Sequence, residues 1–409
     1  MTTTTLSSTL TLPRGNALKN RLAKSAMSEQ LGDRRHNPTP GLARLYRTWA
    51  EGGIGLLITG NVMIDRTALG EPRNVVLDEQ SDLAPFRRWA EASQANGTQV
   101  WMQLNHPGKQ IPSFLSKEPV APSAIPLGKG LDKLFAKPRA LEEAEIEAII
   151  ERFAVAARRA KEAGFNGVQI HGAHGYLVSQ FLSPRHNHRT DNWGGSPENR
   201  RRFVLAVYHA MREAVGEDFP IGIKLNSADF MKDGFSEQES MDVVQALSEA
   251  GIDMIEISGG TYESPAMTGH KVRESTRKRE AYFLEYAEQV RSHTDKPLMV
   301  TGGFRSAAAM NSALNDSATD LIGLARPVAV EPDFPNRLLA DGDAHLDLPR
   351  PSTGLKELDR AFMLDITWYE SQLARMARGK QAKPGMSAWV TVVNGLAQMG
   401  LTALRPRRA

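Results

Sequence analysis

The chain has 409 residues, 41% of them hydrophobic, and sets 50 Lys and Arg against 47 Asp and Glu for a formal charge of +3. That length suits one large domain or two ordinary ones, and so small a charge implies neither nucleic acid nor an acidic membrane surface as a partner. Cysteine is absent, which excludes disulfides, thiolate metal sites, iron–sulfur clusters and cysteine nucleophiles, so any redox chemistry falls to a bound cofactor.

The opening MTTTTLSSTLTL lacks the basic start and apolar run of a secretory signal, and a cytoplasmic address is the default expectation. Eight apolar, β-branched or glycine-bounded stretches follow: NRLAKSAM (20–27), IGLLITGNV (54–62), TQVWMQLN (98–105), NGVQIHG (166–172), PIGIKLNS (220–227), DMIEISGG (253–260), PLMVTGG (297–303) and DLIGLARP (320–327). Helix-length segments lie between most of them, among them 141–164, 196–216 and 236–251, each with apolar residues at three- and four-residue spacing and a glycine stop. Ser196 and Ser236 stand as N-caps, and Pro197 takes the first helical position, where its missing N–H costs nothing. Strand–helix alternation predicts parallel strands, and eight repeats predict an α/β fold, a closed (β/α)8 TIM barrel over residues 1–350.

The longest interruption, 106–140, is rich in Pro and Gly and reads as a lid or binding loop. Beyond residue 350, Leu355, Leu358, Phe362, Ile366, Tyr369, Leu373 and Met376 step by three or four, which predicts one amphipathic helix. The helical tail, 351–409, is expected to pack on the barrel or on a neighbouring subunit, so a homo-oligomer with Trp368 and Trp389 at its interface stays open. Segment 384–404 carries no charge, but Asn394, Gln398, three glycines and a starting Pro weigh against a membrane role.

In a TIM barrel the strand C-termini build the site, and the last two βα loops often bind phosphate. Those loops read TGGFRS (301–306) and GLARP (323–327): Gly302 and Gly303 let backbone N–H groups approach an anion, and Arg305 or Arg326 supplies charge. Against this, Gly-Gly can simply end a strand and Arg326 can pair on the surface. The fourth strand delivers His171 and His174, with Tyr176 beyond, in a segment, 171–200, crowded with donors and turn residues. Imidazoles there can polarise a carbonyl and a phenol can donate a proton. They could also chelate a metal, but neighbouring strand ends offer Gln103, Lys224 and Ser258, with Glu256 deeper, a poor ligand set, so no metal is expected. Lys224 requires an electron-rich partner, and Gln103 suits a planar heterocycle; Ala26, Met27 and Asn61 occupy equivalent strand ends. An internal polar network without a ligand is the alternative for Gln103 and Lys224.

On these residues the chain resembles the Old Yellow Enzyme family of FMN-dependent ene-reductases and NADH:flavin oxidoreductases. The resemblance covers residues 8–345 through LKNRLAKSAMSE, GLLITGNV, QLNHPGK, the highly specific KEAGFNGVQIHGAHGYLVSQFLSPRHNHRTDNWGGSPENRRRF, TGGFRS and GLARP. It implies that His171 and His174 hold the oxygen of an activated alkene and that Tyr176 protonates the neighbouring carbon. It further implies that Gln103 and Lys224 contact the flavin ring, that Ala26, Met27 and Asn61 lie near it, and that Gly303, Ala325 and Arg326 hold the phosphate. The expected activity is FMN-dependent reduction of α,β-unsaturated carbonyl or nitro compounds with NADPH or NADH, the alternative being an NAD(P)H oxidase or quinone reductase. Three features depart from the family pattern: Ser28 stands where relatives commonly carry a Thr or Cys that tunes the flavin, the cysteines that larger relatives need for an iron–sulfur cluster are absent, and the tail after 350 is additional.

Overall fold

Residues 3–128, 130–264, 280–281 and 283–403 are described by a computed structural model of the chain. All eight expected strands are present: β1 (Leu22–Lys24), β2 (Leu56–Ile58), β3 (Gln99–Asn105), β4 (Gly167–Gly172), β5 (Ile221–Asn226), β6 (Met254–Ser258), β7 (Leu298–Thr301) and β8 (Leu321–Leu324). Each pairs in parallel with its neighbours in sequence, β8 returns to β1, and the ring is a closed barrel. Strands buried on both faces explain the near-continuous apolar runs.

Outside the barrel pack α1 (Pro40–Glu51), α2 (Leu83–Ser93), α3 (Glu143–Glu162), α4 (Pro197–Val215), α5 (Glu237–Ala250), α6 (Leu284–Val290) and α7 (Ala307–Asn315). Their starts are chemically specified. Ser196 accepts from the Asn199 N–H, and Ser236 forms a capping box with Glu239. Inside, Ala23, Leu56, Ile58, Trp101, Met254, Met299 and Leu321 fill the floor, closed from below by Leu10, Leu12 and Leu18 of the N-terminal arm. Trp101 fills the barrel's width only because Gly167 and Gly222 face it, where a Cβ would lie 2.7 and 2.9 Å from its indole.

The tail differs from the single helix its spacing predicts. It forms α8 (Lys356–Ala361) and α9 (Leu364–Ala377), broken at Met363, whose φ of 48° is left-handed. The break re-phases the second helix, which buries Leu364, Trp368, Tyr369, Leu373 and Met376 and leaves Ile366 outward. Helix α9 docks on the barrel, with the Arg44 guanidinium donating to the Ala377 carbonyl at 2.7 Å and Gln30 to Glu370 at 3.1 Å. Trp368 is therefore core, with its indole N–H on the Met386 carbonyl at 3.0 Å, and not a surface residue awaiting a partner. The last helix, Ala388–Ala403, exposes Trp389, Val393 and Leu396. Among the described residues no helix is long and apolar enough to cross a membrane.

Candidate functional site

Directly above the apolar floor the inward positions turn polar. Gln103 Nε2 donates to Gln169 Oε1 and Gln169 Nε2 to Glu256 Oε2, each at 2.8 Å, while Lys224 Nζ and Thr301 Oγ1 reach Glu256 Oε1 at 2.9 and 2.7 Å. Glu256 is thus the electron-rich partner that Lys224 requires, and it also collects two neutral donors. The carboxylate tolerates burial because its oxygens accept from three donors, one of them the Lys224 ammonium. Ser25 Oγ closes the chain on Thr301 at 2.7 Å, in space that exists because residue 323 is glycine: a Cβ there would lie 2.0 Å from Thr301 Oγ1. Gln103 and Lys224 therefore belong to an internal network, and Lys224 retains donor capacity toward the space above it.

Near the end of β4 stands His171, and beyond Gly172 the chain turns through His174 (φ 62°) and Gly175 (φ 78°) to reach Tyr176. The left-handed His174 is held from two sides, by Asn226 Oδ1 on its N–H at 3.2 Å and by a bridge to Thr261. His171 Nε2 lies 3.2 Å from His174 Nδ1, and His174 Nε2 lies 2.8 Å from Ser258 Oγ. The imidazoles are chained rather than aimed side by side, and His171 Nδ1 is buried without a partner among the described residues. Burial pushes both far below the usual histidine range, and the positive charge of Lys224 adds to it, so both are neutral at pH 7. The Tyr176 ring sits 4.7 Å from the His171 ring, and its hydroxyl lies 2.9 Å from that of Tyr262. Burial raises the Tyr176 phenol well above 10, so it keeps its proton.

Two carboxyls that the sequence analysis did not single out face the same space. Ser28 donates to Glu71 Oε1 at 2.6 Å and also hydrogen-bonds Glu370, which α9 brings in and Gln30 holds. Burial, then the charge of Glu71, pushes Glu370 up to about 8, and burial likewise raises Glu71. Glu29 stands behind Glu71 but is taken by Lys24 at 3.0 Å, and Arg44 of α1 is turned to the Ala377 carbonyl, so among the described residues neither carboxyl has a cationic partner. Between pH 4.5 and about 8 the folded protein keeps a proton on Glu370 that the unfolded chain releases, so folding stability falls as pH rises through that window and levels off above it. Glu370→Gln removes this loss. The stability of the variant relative to wild type should therefore grow from pH 5 to 8 in urea melts; a constant difference would exclude a proton held on Glu370.

The two phosphate-type loops meet at the mouth. Gly302 and Gly303 take φ of 110° and 103°, and the N–H groups of Gly303, Phe304 and Arg326 have no acceptor among the described residues. Arg326 is half-buried and likewise has no anionic partner there. Arg305 is not part of this donor set. Its N–H and that of Ser306 donate to Glu280 at 2.7 and 2.9 Å, and its guanidinium turns back to the Gly303 carbonyl. Open donors on glycine-rich backbone beside an unpaired guanidinium suit a phosphate group. Ala26, Met27 and Asn61 are half-buried at neighbouring strand ends.

The crowding of segment 171–200 divides between two purposes. Its first residues lie at the candidate site, whereas His186 and Arg189 brace the long loop. Arg189 donates to the Pro122 and Leu141 carbonyls at 3.1 and 2.5 Å, and His186 Nδ1 meets Lys109 at 2.9 Å. Glu263 accepts from the Gly128 N–H at 3.0 Å and so ties the loop after β6 to the same lid.

The family model described as NADH:flavin oxidoreductase / NADH oxidase matches residues 11–342. The NADH-dependent flavin oxidoreductase iliE of Hypocrea jecorina is 39% identical over 83% of this chain and 92% of its own. The old yellow enzyme homologue from Zymomonas mobilis superposes with a TM-score of 0.71 at 25% identity, covering 84% of this chain and 95% of that one. A 2-naphthoyl-CoA reductase superposes with a TM-score of 0.75 at 26% identity, over 82% of this chain, which spans only 52% of that enzyme.

Proposed function

The chain belongs to the NADH:flavin oxidoreductase / NADH oxidase family, and on that premise we propose that it reduces the activated C=C bond of α,β-unsaturated carbonyl or nitro compounds, with Tyr176 as proton donor. FMN is the flavin of such an enzyme and NADH or NADPH its reductant; bound FMN supplies the hydride that NAD(P)H delivers to it. The donor set fits that cofactor. Gly303, Ala325 and Arg326 take the phosphate at the mouth, Gln103 and Lys224 face the ring from the polar layer, and Ala26, Met27 and Asn61 line its edge.

The observation that carries the reading is the contact cluster at the end of β4. His171 Nδ1 has no protein partner, His174 bridges to Ser258, and the protonated Tyr176 lies against the His171 ring. Neutral imidazoles donate to an oxygen without adding a buried charge, and they favour the negative charge that develops there once a hydride reaches the β-carbon. Presenting both to one oxygen requires the 3.2 Å link between them to open. The test is to reduce the enzyme with NAD(P)H without oxygen and mix it with a cyclic enone, a nitroalkene, a quinone or oxygen. Alkenes should reoxidise it fastest. Reoxidation by oxygen or quinone faster than by every alkene would overturn the proposal in favour of an oxidase or quinone reductase.

A further inference from the structure

Tyr262 was not among the expected catalytic groups, yet its hydroxyl lies 2.9 Å from that of Tyr176. Its position is over-determined. On one side Thr261 bridges to His174 and closes a tight turn with Ser264, through N···O contacts of 3.0 and 3.1 Å; on the other the Glu263 carboxylate takes the Gly128 N–H. Phe135 from the long loop covers its ring edge-on at 6.3 Å. So many restraints on a phenol whose hydroxyl, among the described residues, meets another phenol call for a reason beyond packing.

We propose that the acid of this site is the hydrogen-bonded pair Tyr176–Tyr262, in which Tyr262 returns a proton to Tyr176 as Tyr176 gives its own to the substrate carbon. This rests on Tyr176 being the proton donor. As the electron pair of the reduced substrate forms the new C–H bond, the Tyr176 O–H bond breaks; the Tyr262 O–H bond breaks and a new O–H forms on Tyr176. The negative charge ends on the Tyr262 oxygen, and solvent water then reprotonates it. The direction of travel follows from the surroundings. Tyr176 is buried, whereas Tyr262 is more exposed and so nearer to water.

Burial keeps both phenols protonated before the transfer. It raises Tyr262 to about 12 and Tyr176 well above 10, and a hydrogen bond donated by Tyr176 favours the ionised form of Tyr262. Glu71 and Glu370 lie close enough to raise both phenols when ionised. Charge moved onto Tyr262 is charge placed on the half-buried phenol of the pair and held there by the Tyr176 O–H. A lone buried Tyr176 would have to hold it alone.

The experiment is a proton inventory on alkene-driven reoxidation of the reduced holoenzyme, measured in single turnover across H2O/D2O mixtures. Two protons in flight give a curved inventory in the wild type, and Tyr262→Phe should make it linear and slow the step about 10- to 100-fold, with reduction by NAD(P)H unchanged. A linear wild-type inventory overturns the relay without recourse to any variant, as does Tyr262→Phe reacting at the wild-type rate. If instead Tyr176→Phe leaves alkene reduction intact, the failure lies in the assignment of Tyr176 itself.

Discussion

Tyr176→Phe should slow alkene-driven reoxidation of the reduced enzyme by about 10²–10⁴-fold and leave reduction by NAD(P)H at the wild-type rate. The substitution removes one oxygen and keeps the ring, so the contact with the His171 ring at 4.7 Å and the packing of the turn from His174 survive. What is lost is the buried proton that this phenol holds across the working pH range. Protonation of the substrate would then wait on water or on Tyr262, which stands one hydrogen bond further away. The reductive half-reaction delivers a hydride and needs no proton at that position, which is why the two halves should separate. Stopped-flow absorbance of the flavin reads each half independently. Equal slowing of both halves would mean that the ring, and not its proton, is what the site requires, and would sink the assignment.

The barrel was legible because its signals are local and repeated: eight apolar strands end in glycine or polar residues, and Ser caps start two of the helices between them. The candidate site residues could be placed for the same reason, as they stand at or just beyond strand ends whose register the barrel dictates. Glu71 and Glu370 could not. They sit far apart in the chain, the first in a loop after β2 and the second on a tail helix, and meet only through Ser28 and Gln30. No periodicity marks a carboxyl that turns inward from such places, and only the docking of α9 brings Glu370 there. The tail's break at Met363 escaped for a related reason. Spacing of three and four runs straight through it and turns Ile366 inward, whereas the helix after the break leaves Ile366 exposed and buries Leu364 and Trp368 beside Leu373. The pairing of Tyr262 with Tyr176 is a distance, and distances of that kind lie outside what spacing conveys.

Glu256→Gln should destabilise the folded protein by about 3–5 kcal/mol, because it leaves Lys224 buried in the barrel without its carboxylate. The loss would show as a lower urea midpoint with an unchanged slope. Replacing both partners, Lys224→Met with Glu256→Met, should recover most of it, since exchanging a buried ion pair for apolar side chains of similar volume is often neutral or stabilising. The pair therefore does not owe its place to the stability of the barrel. Gln169 and Thr301, which both donate to Glu256, would lose their acceptor in the double variant and keep the recovery incomplete. If Lys224 is held at the top of this network to meet the flavin ring, the double variant should fold and yet bind FMN about 10- to 150-fold more weakly, the worth of one hydrogen bond to a charged group. Fluorescence titration of flavin-free protein with FMN measures that directly. A double variant that binds FMN as tightly as wild type would return Lys224 and Glu256 to a purely internal role, and one as unstable as Glu256→Gln would show that the pair serves the barrel first.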